Sequence, residues 1–141
     1  MAVDYGDART GIAVSDESAT LAGEAWVVHE KRLDATARTI ATEAASRGVG
    51  VVVVGYPKNM NGSIGSRAEI SERLVDCLRG LCDIEVVLWD ERMTTMSAHR
   101  ILSDTGRRGK KRKDTIDAVA ASLILESYLQ SLSTSHSGDE S

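Results

Sequence analysis

Phenylalanine is absent from this chain, and two tryptophans and three tyrosines are its only aromatic residues. Single-strand binding by base stacking needs a platform of rings, and few are available here. Cysteine occurs twice, at Cys77 and Cys82, with no CxxC pair and no His/Cys spacing suited to zinc. These read as bland thiols of a reducing compartment. No apolar run has membrane-spanning length and no secretory leader is visible, so a cytoplasmic protein without a membrane partner is expected. An excess of positive charge is lacking too. Only 17 Lys and Arg stand against 21 Asp and Glu, a net charge of −4. That excludes a bulk polycation coating nucleic acid and leaves local basic patches open.

What is present suits one domain with a real core, since the chain has 141 residues. Residues 1–5 and 10–15 read as two strands of a hairpin joined by a glycine-containing turn, and 25–28 as a third strand. Leu33, Ala37, Ile40, Ala41, Ala44 and Ala45 recur at helical spacing, predicting a helix over 33–47 that Gly48 ends. The valine run within 49–54 has the character of a strand buried on both faces. A loop over 55–65 carries the only proline, Pro57, and an Asn61-Gly62 turn. A helix over 66–80 follows, then an apolar strand over 84–89, then a short helix capped by Thr94 or Thr95. A charged, glycine-rich loop over 106–113 precedes a last helix starting at Asp114. Residues 133–141 are Ser-rich and acidic, predicting a disordered tail behind a domain of residues 1–132. A meander followed by βα units predicts an α/β fold, a mixed five-stranded sheet with helices on both faces.

Three acids stand at element ends: Asp4 closes the first strand, Glu91 follows the strand over 84–89, and Asp117 lies early in the last helix. If the first and last of these strands run parallel, Asp4 and Glu91 share one sheet edge. Clustered carboxylates repel and need a cation, and oxygen-only ligands suit Mg²⁺ or Mn²⁺. Such ions polarise a phosphoryl oxygen and activate water. Each acid also has an ordinary structural explanation. Asp4 can make an Asx-turn over Tyr5-Gly6, and Glu91 can pair with Arg92 on the surface. Asp117 can complete a capping box with Asp114. Against that last reading, Asp117 shares a helical face with Ala121, Ile124 and Tyr128, which points it inward. Asp90 is the alternative to Glu91, and alternation along a strand keeps both from facing one ion.

Two basic features accompany the acids. Arg67 opens the helix after the 55–65 loop, where the dipole favours an acid instead, so a bound anion is one explanation. The run from Arg107 through Lys110, Lys111, Arg112 and Lys113 stands out from an acidic chain and directly precedes Asp117. It is either a solvated loop or a grip on phosphates flanking a scissile bond.

In combination these pieces resemble the YqgF/RuvX family of Holliday-junction-resolvase-like proteins. The matching residues are Val3-Asp4-Tyr5-Gly6 with Arg9-Thr10-Gly11-Ile12-Ala13-Val14-Ser15-Asp16, and Val53-Val54-Gly55-Tyr56-Pro57 with Asn59-Met60-Asn61-Gly62. Arg67-Ala68, Asp90-Glu91-Arg92-Met93-Thr94-Thr95, Lys111-Arg112-Lys113 and Ile116-Asp117-Ala118-Val119-Ala120-Ala121 complete the set, in order along nearly the whole chain. The resemblance implies a ribonuclease H-like fold and a metal-dependent nuclease using Mg²⁺ or Mn²⁺. It implies maturation of the 5′ end of precursor 16S ribosomal RNA, with resolution of branched DNA as the alternative substrate chemistry. The family's acidic positions fall on Asp4, Glu91 and Asp117. Lys110, Lys111, Arg112 and Lys113, with Arg9 and Arg67, are then expected to hold the nucleic-acid backbone. A monomer or weak homodimer without a nucleotide cofactor is expected. A non-catalytic ribosome-assembly module and a sugar-kinase-like ATPase built on Asp4-x-Gly6 are the competing readings.

Overall fold

The computed structural model describes residues 1–6, 8–15, 22–57, 65–90 and 109–139, with backbone alone for 22, 109–114 and 133–139. Five strands form one sheet: β1 (Ala2–Asp4), β2 (Arg9–Ser15), β3 (Ala22–His29), β4 (Val51–Tyr56) and β5 (Glu85–Asp90). Their spatial order is β3-β2-β1-β4-β5. The pairs β1–β2 and β2–β3 are antiparallel, while β1–β4 and β4–β5 are parallel. Among the described residues there are three helices: α1 (Leu33–Ser46), α2 (Ser66–Leu81) and α3 (Gly109–Asp139).

Connection rules explain the layering. The chain steps from β3 to β4 by way of α1, then from β4 to β5 by way of α2, in one direction across the sheet. Right-handed crossovers in one direction put both helices on one face. Ala37, Ile40 and Ala44 of α1 and Leu74, Val75 and Leu78 of α2 are buried there against Val3, Ile12, Val52, Val54 and Val86. The other face is left to α3, whose Ala121, Ile124 and Leu125 bury against Ala2, Ala13 and Val53. Trp89 of β5 joins that layer, its indole N–H donating to Ser127 Oγ at 3.2 Å and its ring meeting Tyr128 edge-on. The valine-rich β4 thus feeds both cores, as its lack of alternation requires.

Gly48 ends α1 in the left-handed region, at φ 67°. Its N–H reaches Ala45 O and the N–H of Val49 reaches Ala44 O at 2.9 Å, the paired bonds of a Schellman motif. Just before it, Arg47 pairs with Glu43 and Glu24 and lies 4.4 Å over Trp26, tying the end of α1 to β3.

The last helix departs from expectation at its start. It begins at Gly109, so the backbone of Lys110–Lys113 is helical where a loop was expected, and Asp114 is not its cap. Lys and Arg are good helix formers, and like-charge repulsion along one turn is only a few tenths of a kcal/mol per pair. At its other end the helix runs to Asp139. No proline interrupts it and its first interior glycine is Gly138, so nothing in the local sequence forces an earlier stop. The expected short helix through Leu102 lies outside the described residues. Among the described residues, no helix is long and apolar enough to cross a membrane.

Candidate active site

Asp4 is the last residue of β1 and follows Ala2 in the strand's alternation, which assigns it to the α3 side of the sheet. In the antiparallel ladder its partner is Gly11 of β2. At Gly11 the backbone of α3 comes very close to the sheet. A Cβ at position 11 would lie 2.0 Å from the main-chain oxygen of Asp117 and 2.6 Å from its carbonyl carbon. Only glycine allows this approach, and it sets Asp117 beside the strand position that faces Asp4. Two of the three expected acids, from opposite ends of the chain, thus flank one glycine.

Asp117 lies in the third turn of α3, eight residues after Gly109. The capping-box reading is therefore overturned, because a capping acid belongs to the first turn. The inward-pointing reading matches the packing: Ala121 and Ile124 on the same face are buried, and Tyr128 packs beside them. The Asp117 carboxylate accepts a hydrogen bond from Nε of Arg9, with Nε to Oδ2 at 2.9 Å. The two side chains are 22% and 33% exposed. An ion pair this open contributes at most about 1 kcal/mol to stability, so its interest is positional. Arg9 starts β2, and its backbone is set by the turn before it. A Cβ on Gly6 would lie 2.3 Å from the Arg9 carbonyl oxygen, so a glycine is required there too.

The parallel half of the sheet brings other elements to this edge. Val3 is level with Val54, the next residue of β4, Gly55, is level with Trp89, and Tyr56 is level with Asp90. Alternation assigns Trp89 to the α3 side and Asp90 to the α1–α2 side, away from Asp4 and Asp117. Glu91 lies outside the described residues. Tyr56, buried at the end of β4, donates its phenol hydrogen to Glu72 of α2. That bond, with burial and the nearby charges of Glu72 and Glu69, pushes the phenol up to about 12. Arg67 is exposed in the first turn of α2, after the β4 end, at the same sheet edge as Asp4. The backbone of Lys110, Lys111, Arg112 and Lys113 occupies the α3 segment just ahead of Asp117. Because Leu125 and Leu129 further along α3 reach the opposite edge with Met1 and Val51, this segment points out past the Asp4 edge.

Three relationships escape a reading of the sequence: the Arg9–Asp117 pair, the Tyr56–Glu72 bond, and the close approach at Gly11. Only the last had a local signal, a glycine inside an otherwise apolar strand. A cavity of about 740 Å³ lies at the opposite sheet edge, lined by Met1, Val51, Leu125 and Leu129, and shares nothing with these acids.

The donor chemistry of Asp4 and Asp117 fits a hard divalent cation, since both offer carboxylate oxygen and nothing softer. Among the described residues, no group of three or more His, Cys, Asp or Glu is gathered tightly enough to hold one, and the third expected acid, Glu91, is not among them.

The sheet order and the helices on both faces are those of a ribonuclease H-like fold. Two solved structures share the architecture. Over 91% of this chain and 92% of the other, T. thermophilus RuvC in complex with a Holliday junction substrate superposes with a TM-score of 0.57 at 14% identity. A second structure of Thermus thermophilus RuvC gives a TM-score of 0.52. At that identity the likeness is one of fold. Residues 1–131 match the RuvX family, described as Holliday junction resolvase, and the chain belongs to it. Relatives from Geobacillus kaustophilus and Halothermothrix orenii are 43% and 41% identical, over 93% and 92% of this chain and 96% and 92% of theirs. Both carry the provisional name pre-16S rRNA nuclease.

Proposed function

We propose that this chain is a divalent-metal-dependent nuclease that hydrolyses phosphodiester bonds of precursor 16S ribosomal RNA in the cytoplasm. The observation that supports this reading is that Asp4, through its ladder pairing, and Asp117, through its main chain, both adjoin Gly11. The relatives' name supports the substrate.

Asp4, Asp117 and Glu91 would hold Mg²⁺ or Mn²⁺. When bound, the ion supplies polarisation of a phosphoryl oxygen and activation of the attacking water. In the structure, Arg9 pairs with the Asp117 carboxylate through its Nε–H bond. Lys110, Lys111, Arg112 and Lys113, entering past the acidic edge, pair with backbone phosphates on one side of the cleaved bond, and Arg67 serves the other. The acids alone would repel the substrate, so these cations are needed to bring a polyanion to them. Nothing in this arrangement selects bases, so substrate choice rests on the shape of the folded RNA. The protein acts as a monomer or weak homodimer and uses no nucleotide cofactor.

The test is cleavage of precursor RNA and of a four-way DNA junction, with Mn²⁺ or with EDTA, by wild type and Asp4→Asn. RNA cleavage that needs Mn²⁺ and falls at least about a hundredfold in the variant is expected, a loss usual for removing one preorganised charged group. Equal cleavage by Asp4→Asn contradicts the assignment. Cleavage of the junction alone would make branched DNA the substrate, and binding without turnover would make the protein an assembly module.

A further inference from the structure

Arg9 was expected to bind nucleic acid, yet its guanidinium is committed to Asp117 at 2.9 Å. This pairing has an electrostatic consequence. Asp117 is 22% exposed, packed on the sheet beside the position of Asp4, and a carboxylate there needs a counter-charge. Arg9 supplies it. A divalent cation on the same carboxylate would stand within a few ångströms of a fixed positive charge. The two cations compete for one anion, and their mutual repulsion is not abolished even at the dielectric constant of water.

We propose that Arg9 is a displaceable counter-ion of Asp117, which exchanges the guanidinium for the divalent ion when the metal binds. The proposal rests on the reading of Asp4 and Asp117 as metal ligands. Only the side chain has to move. The Arg9 backbone is held by the β2 ladder, where it pairs with His29, and by the tight approach of Gly6 to its carbonyl. The side chain is a third exposed, so it has an open direction in which to swing. Freed from Asp117, the guanidinium stays at the acidic edge with a full charge and a fork geometry that matches a backbone phosphate. A substrate phosphate that takes Arg9 therefore helps the metal to bind, and by linkage the metal helps the substrate.

A purely structural pair makes the opposite forecast, because loosening Asp117 by removing Arg9 would weaken the metal site. Mn²⁺ binding without nucleic acid, measured by calorimetry on wild type, Arg9→Gln, Arg9→Met and Asp117→Asn, separates the two. The neutral Arg9 variants are expected to bind Mn²⁺ on the order of tenfold more tightly than wild type, within the usual span of site coupling. Thermal melts identify which of the two variants is folded. In wild type, the Arg9 Nε–H resonance is expected to shift as Mg²⁺ is added and to stay put in Asp117→Asn. Unchanged or weaker Mn²⁺ binding by a folded Arg9 variant overturns the exchange and leaves the metal site standing. Mn²⁺ binding that is absent, or indifferent to Asp117→Asn, overturns the metal site and the exchange together.

Discussion

The Cα of Gly11 rests against the main-chain carbonyl of Asp117, closer than any side chain would permit. Strand β2 and helix α3 are thereby joined at one point, and that point is also the ladder partner of Asp4. The geometry of the acidic edge depends on a missing methyl group.

Gly11→Ala should accordingly damage both stability and cleavage. The added Cβ meets backbone and not the end of a flexible side chain, so α3 must shift. A loss of roughly 3 kcal/mol is expected, the upper part of the range for overpacking. Urea unfolding measures it. Cleavage should fall more than the residual folded fraction explains, because Asp117 moves with the helix.

Much of this arrangement was legible before any coordinates. The hairpin, the two-faced β4, the α1 stripe ended by Gly48, and the inward face of Asp117 all follow from local pattern. The start of α3 did not, because glycines and a run of like charge signal a loop locally, while a long helix anchored by Ala121, Ile124 and Leu125 extends back through them. The Arg9–Asp117 and Tyr56–Glu72 pairs join elements distant in sequence, and no spacing rule reports such partners. Glu91 stays an expectation from the sequence, and the register disfavours Asp90 as its substitute.

Replacing Lys110, Lys111, Arg112 and Lys113 together by Gln tests the phosphate grip. Fluorescence anisotropy with precursor RNA across a salt series should show weaker binding and a shallower dependence on salt. Each lost phosphate contact lowers the slope by roughly 0.7–0.9. The thermal midpoint should scarcely change. An unaltered slope would remove these residues from the interface.

Tyr56 gives a pH signature. Its phenol is held up to about 12 by Glu72, against 10 for the free group. The folded state thus keeps its proton where the unfolded state has lost it. The stabilisation is fully present below pH 10 and is lost as pH rises toward 12. In absorbance titration, the Tyr56 phenol should remain largely un-ionised at pH 11. Glu72→Gln removes the charged acceptor, and that tyrosine should then ionise about a unit or more earlier. No change would mean that the bond to Glu72 does not control the phenol.

The account turns on whether Asp4 and Asp117 share a cation. Anomalous diffraction from a crystal grown with Mn²⁺ measures this directly. The predicted result is a peak within about 2.0–2.3 Å of a carboxylate oxygen of each, the span usual for hard divalent ions on oxygen. A peak elsewhere, or none with Asp4 and Asp117 well ordered, would contradict it.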